Sequence, residues 1–280
     1  MRYQAFGNTD LQVSEIGFGA WGIGGSAKAG DIPIGWSDVS DDESKKALTV
    51  AREEGITFYD TADFYGLGKS EKLIGQTFGN SDEVVIASKV GHRLDEDGNI
   101  QMDYSKDHII DACESSLKRL QRESIDFYQL HSAKIDDLKK GECVEAMDKL
   151  KQEGKIRYWG VSLSTFSPDT EGDFLLKHHL GDGFQLVYNV INQRALPFMK
   201  KANKAGYGII ARMPLQFGLL TGKFDRTAKF EEGDHRSFRL TPEVIDFALQ
   251  RLVKAWPYAE RHGITKTELA LSFVANSPEV

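Results

Sequence analysis

Hydrophobic and polar positions along the chain alternate between two periods. Short apolar runs rich in β-branched and aromatic residues recur at 15–19, 56–60, 84–89, 125–131, 155–162, 184–188 and 207–211. Runs of this length and makeup predict buried strands. Between them lie segments of helical period near 42–54, 69–78, 105–121, 137–153, 168–179 and 194–205. In the first of these, Ala47, Leu48, Val50 and Ala51 form the apolar side and Gly55 is the stop. Two more helical segments follow, near 241–261 and 265–277, with no strand after them. Strand and helix in alternation imply a parallel sheet covered by helices. Seven strands at this spacing are one short of the eight that close a (β/α)8 barrel. The expected class is therefore α/β: a TIM-type (β/α)8 barrel in a single domain over 1–280, lacking the last strand and helix.

Three further stretches complete this picture. The first fifteen residues predict a β-hairpin turning at Gly7-Asn8-Thr9-Asp10, placed to plug the amino-terminal end of the barrel. Residues 20–41 predict a long glycine-rich loop holding Trp21 and Trp36. Residues 222–240, polar and charged, predict a second long loop on the opposite, carboxyl-terminal face.

Chemistry enters at the strand ends. Asp60, Lys89 and His131 close three successive apolar runs, and Tyr65 lies in the loop after the first. Ionisable groups at the carboxyl ends of neighbouring parallel strands converge on one face, where barrel enzymes keep their catalysts. Composition narrows the partners. A net charge of −7 argues against a nucleic-acid footprint, which would be basic. No run approaches the ~18 apolar residues of a membrane span, and the start lacks the apolar stretch of a signal peptide. Cys113 and Cys143 alone make neither a disulfide scaffold nor a zinc site, so no metal is expected and the cytoplasm is the default compartment. The oligomeric state is left open.

Asp60-Thr61-Ala62-Asp63-Phe64-Tyr65-Gly66, Ala87-Ser88-Lys89-Val90 and Tyr128-Gln129-Leu130-His131 resemble the catalytic blocks of the aldo-keto reductases. Gly17-Phe18-Gly19-Ala20-Trp21, Gly160-Val161-Ser162, Gln185-Leu186-Val187-Tyr188-Asn189 and the 214–223 segment agree, in order, along nearly the whole chain. The chemistry also follows from the residues. Reducing a carbonyl needs hydride at carbon and a proton at oxygen. A tyrosine with an ordinary pKa near ~10 is a poor acid or base at neutral pH, and a nearby ammonium favours its phenolate. Lys89 is placed to supply that charge, steadied by Asp60, while His131 orients the substrate oxygen. The resemblance implies the same roles: Tyr65 as proton donor, Lys89 as its tuner, Asp60 as support, His131 as orienting group. Taken singly, a buried Asp–Lys pair can serve only to hold a barrel end together, and a lone histidine is commonly a structural hydrogen-bonder. Four such residues at three successive strand ends favour the catalytic reading.

No Gly-x-Gly-x-x-Gly opens a βαβ unit here, so a dinucleotide would be held in another way. The resemblance implies an NADP(H) cofactor. It assigns Ser162 and Gln185 to the nicotinamide carboxamide, with Ala20, Trp21, Asp60 and Arg212 also at the cofactor. Pro214, Leu215, Gly218, Leu220, Gly222 and Lys223 would wrap the pyrophosphate. The expected partner is a small-molecule carbonyl substrate meeting Trp21, Phe64 and His131, with Trp36 and Phe217 also lining the pocket. Such a lining favours aromatic or medium-chain aldehydes over sugars. Residues 91–104 and 222–240 are expected to set specificity.

Three departures from the family pattern stand out. Leu163 replaces the usual asparagine after Gly160-Val161-Ser162, removing one polar contact worth roughly 1 kcal/mol. Arg212 stands where an aromatic often stacks on the nicotinamide, and a guanidinium plane can also stack. The eighth strand, an arginine-bearing loop for the adenosine phosphate and a final helix have no counterpart. A rival expectation is a module that binds the cofactor without useful turnover, as in the potassium-channel β-subunits of the same family. All four catalytic residues favour the enzyme; Leu163 and the missing end favour the rival.

Overall fold

The computed structural model describes residues 1–35, 39–231 and 234–280. Its main sheet has seven strands: β1 (Phe18–Gly19), β2 (Phe58–Asp60), β3 (Val85–Val90), β4 (Ile125–His131), β5 (Ile156–Ser162), β6 (Gly183–Val187) and β7 (Gly208–Arg212). They lie side by side in chain order, and every neighbouring pair is parallel. This is the curled sheet of a (β/α)8 barrel without its last unit, as the sequence pattern implies. Among the described residues, β1 and β7 do not pair with each other.

The strands alternate strictly between two faces, which is what a sheet buried on both sides requires. Tyr59, Ile86, Tyr128, Leu130, Trp159, Val161, Phe184 and Leu186 point outwards and form the larger core with the helices. Phe58, Ala87 and Phe127 point inwards and meet Phe6, Leu11 and Val13. Those last three come from the amino-terminal hairpin, Tyr3–Ala5 with Gln12–Ser14. The plug expected from the sequence is thus present. Its close fit depends on missing side chains: a Cβ on Gly183 or Gly208 would sit within 2.7 Å of the Phe6 ring.

Among the described residues, seven helices in six connections link and cover the strands: α1 (Asp41–Glu53), α2 (Lys69–Phe78), α3 (Lys106–Leu120), α4 (Ile135–Lys140) with α5 (Glu142–Gln152), α6 (Asp169–His178) and α7 (Leu196–Lys204), where α4 and α5 share one connection. The sequence predicts a single helix over 137–153; Gly141, at φ 85°, divides it. The predicted helix over 241–261 is likewise two, α9 (Pro242–Leu252) and α10 (Trp256–His262), after the short α8 (Arg236–Arg239). Pro257 supplies no amide to continue the helix from its amino-terminal side, so a new helix starts there instead. The last helix, α11 (Lys266–Ala275), carries a full capping box between Thr265 and Glu268. Two expected loops hold small antiparallel hairpins, Lys28–Ala29 with Ile32–Pro33 and His92–Leu94 with Ile100–Met102. Trp36, expected in the substrate pocket, lies outside the described residues. No helix of the described residues is long and apolar enough to cross a membrane.

Candidate active site

The inward parity of each strand, carried to its carboxyl end, decides what faces the mouth of the barrel. Lys89 lies level with Gln129, His131 with Ser162, and Ser162 with Gln185. Asp60 ends the neighbouring β2. A row of polar side chains therefore crosses five strands, stepping two residues along from Asp60, level with Ala87, to Lys89, and again from Gln129 to His131.

Lys89 is the centre of this row. Its side chain is fully buried, and Nζ donates to Asp60 Oδ2 at 2.7 Å, to the Thr61 carbonyl at 2.7 Å and to the Tyr65 hydroxyl at 3.2 Å. All three ammonium protons are thus used. Burial works against the charge, but Asp60 and Tyr65 outweigh it and leave the Lys89 pKa raised. Asp60 is itself held by two amides, since its Oδ1 accepts from Gln185 Nε2 at 2.9 Å and Gln129 Nε2 at 3.2 Å. Tyr65 comes from the loop after β2, and its ring stands edge-on to His131 with centroids 6.0 Å apart. The four residues predicted for catalysis are brought together. Burial, with His92, Lys89 and Arg212 nearby, pushes the His131 pKa well below the usual value, so its imidazole is neutral at physiological pH.

Backbone strain gathers around this row. Ser132 follows His131 at φ 71°, and Leu67 lies two residues after Tyr65 at φ 51°. Met213, Gln216 and Phe217 also occupy the left-handed region, at φ 62°, 46° and 57°. Left-handed conformations are uncommon for such residues and concentrate where surroundings force them.

The residues expected at a cofactor divide into those with a free face and those without. Ser162 Oγ donates to Gln185 Oε1 at 3.2 Å, and both side chains are buried. Arg212 reaches Thr165 Oγ1 at 3.1 Å and the Leu163 carbonyl at 3.4 Å, while its Nε is buried without a partner. Asp60, Gln185, Arg212 and Pro214 also line a cavity of about 300 Å³ that runs between β1 and β7 to the plug. Leu215 accepts the amides of Gly218 and Leu220 through its carbonyl and so winds the 213–222 segment tightly. Gly218 and Gly222 sit there at φ 89° and 74°. Leu220 is turned into a small core with Leu252 and Ala270, so only its backbone is placed to meet a ligand. Lys223 is exposed just beyond. Ala20 is fully buried, bonded through its amide to Asp60 and through its carbonyl to Ser70. Leu163, also buried, brings no polar side chain to the mouth.

The aromatic lining is arranged differently from the expectation. Trp21 ties its indole N–H to the Ile34 carbonyl at 3.0 Å and packs against His235, with centroids 4.5 Å apart, and less closely against Tyr65 and Phe217. Phe64 is 8% exposed and stands edge-on to His92. It backs the site and does not line its open side.

Sequence reasoning missed four contributors. Gln129 was two residues before His131, on the same face, and that parity was signal enough to find it. Thr61 acts through its carbonyl, which no side-chain pattern reveals. His92 and Lys266 lie on elements whose position depends on tertiary folding. A Cβ on Gly222 would meet the Lys266 side chain at 2.3 Å, so a second lysine joins Lys223 at the wound segment. Two lysines, an unpaired buried guanidinium nitrogen and an amide–hydroxyl pair are the donors an anionic dinucleotide calls for.

Comparison with known proteins decides the family. The model of the aldo/keto reductase family matches residues 15–280. This chain belongs to the aldo/keto reductase family. The aldo-keto reductase YhdN of Bacillus subtilis is 34% identical over 245 residues, covering 85% of this chain and 69% of that protein. The L-galactose dehydrogenase of Arabidopsis thaliana is 30% identical over 293 residues, 99% of this chain and 81% of that one. Among solved structures, the holo form of the aldo-keto reductase AKR11C1 from Bacillus halodurans superposes with a TM-score of 0.70 at 30% identity, over 86% of this chain and 76% of that one. The glycerol dehydrogenase AKR11B4 from Gluconobacter oxydans gives 0.81 at 26% identity, over 99% and 84%. The chain is accordingly an oxidoreductase of this family, whose proteins bind a nicotinamide cofactor.

Proposed function

We propose that this aldo/keto reductase reduces aldehydes or ketones to alcohols with NADP(H), taking the proton from Tyr65. The observation that carries this reading is the Lys89 ammonium, buried and 3.2 Å from the Tyr65 hydroxyl oxygen. When bound, a reduced nicotinamide would supply the hydride that the carbonyl carbon needs. Tyr65 donates its hydroxyl proton to the carbonyl oxygen, and Lys89 balances the phenolate that remains. Asp60 keeps Lys89 charged and fixed. His131 is neutral, so it is suited to accept or donate one hydrogen bond to the substrate and poorly suited to deliver the proton; this leaves Tyr65 as the acid. Arg212, Gln185, Ser162, Lys223 and Lys266 are the side chains that would hold the cofactor. Preference for NADPH over NADH rests on family likeness alone.

Two relatives bear the names of a sugar and a polyol dehydrogenase, which brings hydroxyl-bearing carbonyls into consideration. The aromatic ring of Trp21 and the apolar Phe217 favour less polar aldehydes, and we keep those as the first substrates to try. Tyr65→Phe tests the assignment. It is expected to lower aldehyde reduction at least about 100-fold while NADPH affinity, read by fluorescence titration, stays unchanged. An undiminished rate would overturn it. Cofactor binding without turnover in the unaltered chain would favour the regulatory alternative, which relatives described as probable potassium-channel β-subunits keep open.

A further inference from the structure

His131 has no hydrogen bond to fix its ring. Its Nδ1 is buried without a partner, which leaves Nε2 as the nitrogen that an incoming oxygen can reach. Histidines at reactive centres are normally oriented by a bond from the second ring nitrogen to a carboxylate or carbonyl. Here that bond is missing, yet the ring must keep one orientation for Nε2 to be useful.

The structure offers a substitute. His92, the first residue of the 92–102 hairpin, lies over His131 with ring centroids 4.0 Å apart and planes 18° from parallel. Phe64 also packs against the His92 ring, edge-on at 5.5 Å. The hairpin in turn is locked to the strand end. Tyr104, just beyond it, donates its hydroxyl to the His131 carbonyl at 2.6 Å. Gly91 makes this possible: it adopts φ 124°, and a Cβ there would lie 2.1 Å from the Tyr104 ring. Backbone and ring of His131 are therefore held by two residues that flank one hairpin.

We propose that His92 is a positioning residue, whose stacked ring holds the His131 imidazole in the orientation needed to meet the substrate oxygen. The role rests on the carbonyl-reducing function proposed above, but the stack itself does not. The charged and titratable groups around His131 are Lys89 on β3, Tyr65 after β2, Arg212 on β7, and His92 and Tyr104 on either side of the hairpin. None is an acid that would favour the imidazolium. Two imidazoles stacked this closely cannot both be charged, and burial pushes His92 down to about 4. His92 thus also shields His131 from water and keeps it neutral.

The distinction between stacking and hydrogen bonding is chemical, so variants can separate them. His92→Phe keeps a flat ring and loses both nitrogens; His92→Ala loses the ring; His92→Gln keeps a polar group without an aromatic plane. Nitrogen-detected NMR of the His131 imidazole gives a readout that does not depend on turnover. In the unaltered chain and in His92→Phe, His131 should stay in one neutral tautomer down to pH 5. In His92→Ala and His92→Gln it should exchange between tautomers and titrate nearer the ordinary 6.5. For aldehyde reduction, His92→Ala and His92→Gln should lose about 10-fold in kcat with cofactor affinity unchanged, and His92→Phe should stay within about 3-fold of the parent. Equal losses in the Phe and Ala variants would show that a nitrogen of His92 is what matters, and would overturn the proposal. So would a His131 signal unaffected by removing the ring. If the unaltered chain reduced no carbonyl, the functional reading would fail while the NMR series still decided the stack.

Discussion

Lys89 illustrates how one side chain can serve both stability and chemistry. Its charge is tolerated inside the barrel because Asp60, Thr61 and Tyr65 accept hydrogen bonds from all three ammonium N–H groups. Lys89→Met should therefore act twice. It strands the Asp60 carboxylate among the Gln129 and Gln185 amides, at a cost of roughly 3 kcal/mol in unfolding free energy by urea titration. It also removes the charge behind Tyr65, lowering kcat at least about 100-fold at pH 7. A folded variant with unimpaired kcat would contradict the role given to Lys89. The histidines make a separate, pH-dependent contribution. His92 has a native pKa of about 4, below its ordinary 6.5, because burial disfavours the charged ring. The unfolded chain thus binds more protons than the folded one between these values, so stability is complete above pH 6.5 and declines towards pH 4. With partial exposure discounted, His92 should account for about 2 kcal/mol of that decline, and His131 adds in the same direction. His92→Phe should flatten the slope of unfolding free energy against pH in this window; an unchanged slope would contradict the assignment.

At the scale of elements, position follows from side-chain parity and close approach. Gly91 between β3 and the 92–102 hairpin is the clearest case. Gly91→Ala combines a φ of 124° with a Cβ only 2.1 Å from the Tyr104 ring, so the hairpin root must shift. We expect a loss of more than about 2 kcal/mol in unfolding free energy, with the Tyr104–His131 bond broken. Wild-type stability in that variant would contradict this account of the root. Much of this level was legible in the sequence. The apolar runs placed six of the seven strands within about two residues of their observed ends, with the first begun three residues early, and in the folded strands one side-chain parity runs through Lys89, His131, Ser162 and Gln185 to the mouth. The pattern failed where a single residue overrules a periodic stretch. Gly141 and Pro257 each divide a predicted helix, although the apolar spacing continues across them. It was silent on the His92 hairpin, because the 91–104 stretch has little periodicity and its pairing is fixed by Tyr104 and Gly91 after folding. The orientation of Phe64, turned towards His92, was equally beyond pattern, since a loop residue has no face until its loop is folded.

The whole molecule is a row of donors and acceptors suspended across five parallel strands, with a hairpin plug below and the 213–222 segment above. No group of three or more candidate metal ligands occurs among the described residues. In the function proposed above, the chemistry is met by proton donors, fixed charge and a dinucleotide held near the mouth. The sheet stays open between β1 and β7, where the 300 Å³ cavity reaches Asp60, Gln185 and Arg212. In the proposed function, cofactor capture beside this opening is the property on which everything else depends. The most direct test mixes the 280-residue protein with NADPH, and separately with NADH, in the presence of an aromatic aldehyde, and follows absorbance at 340 nm. The account predicts steady loss of the 340 nm band that depends on protein and aldehyde, and that disappears in Tyr65→Phe. Saturable NADPH binding with no loss of absorbance for any aldehyde or ketone would contradict it.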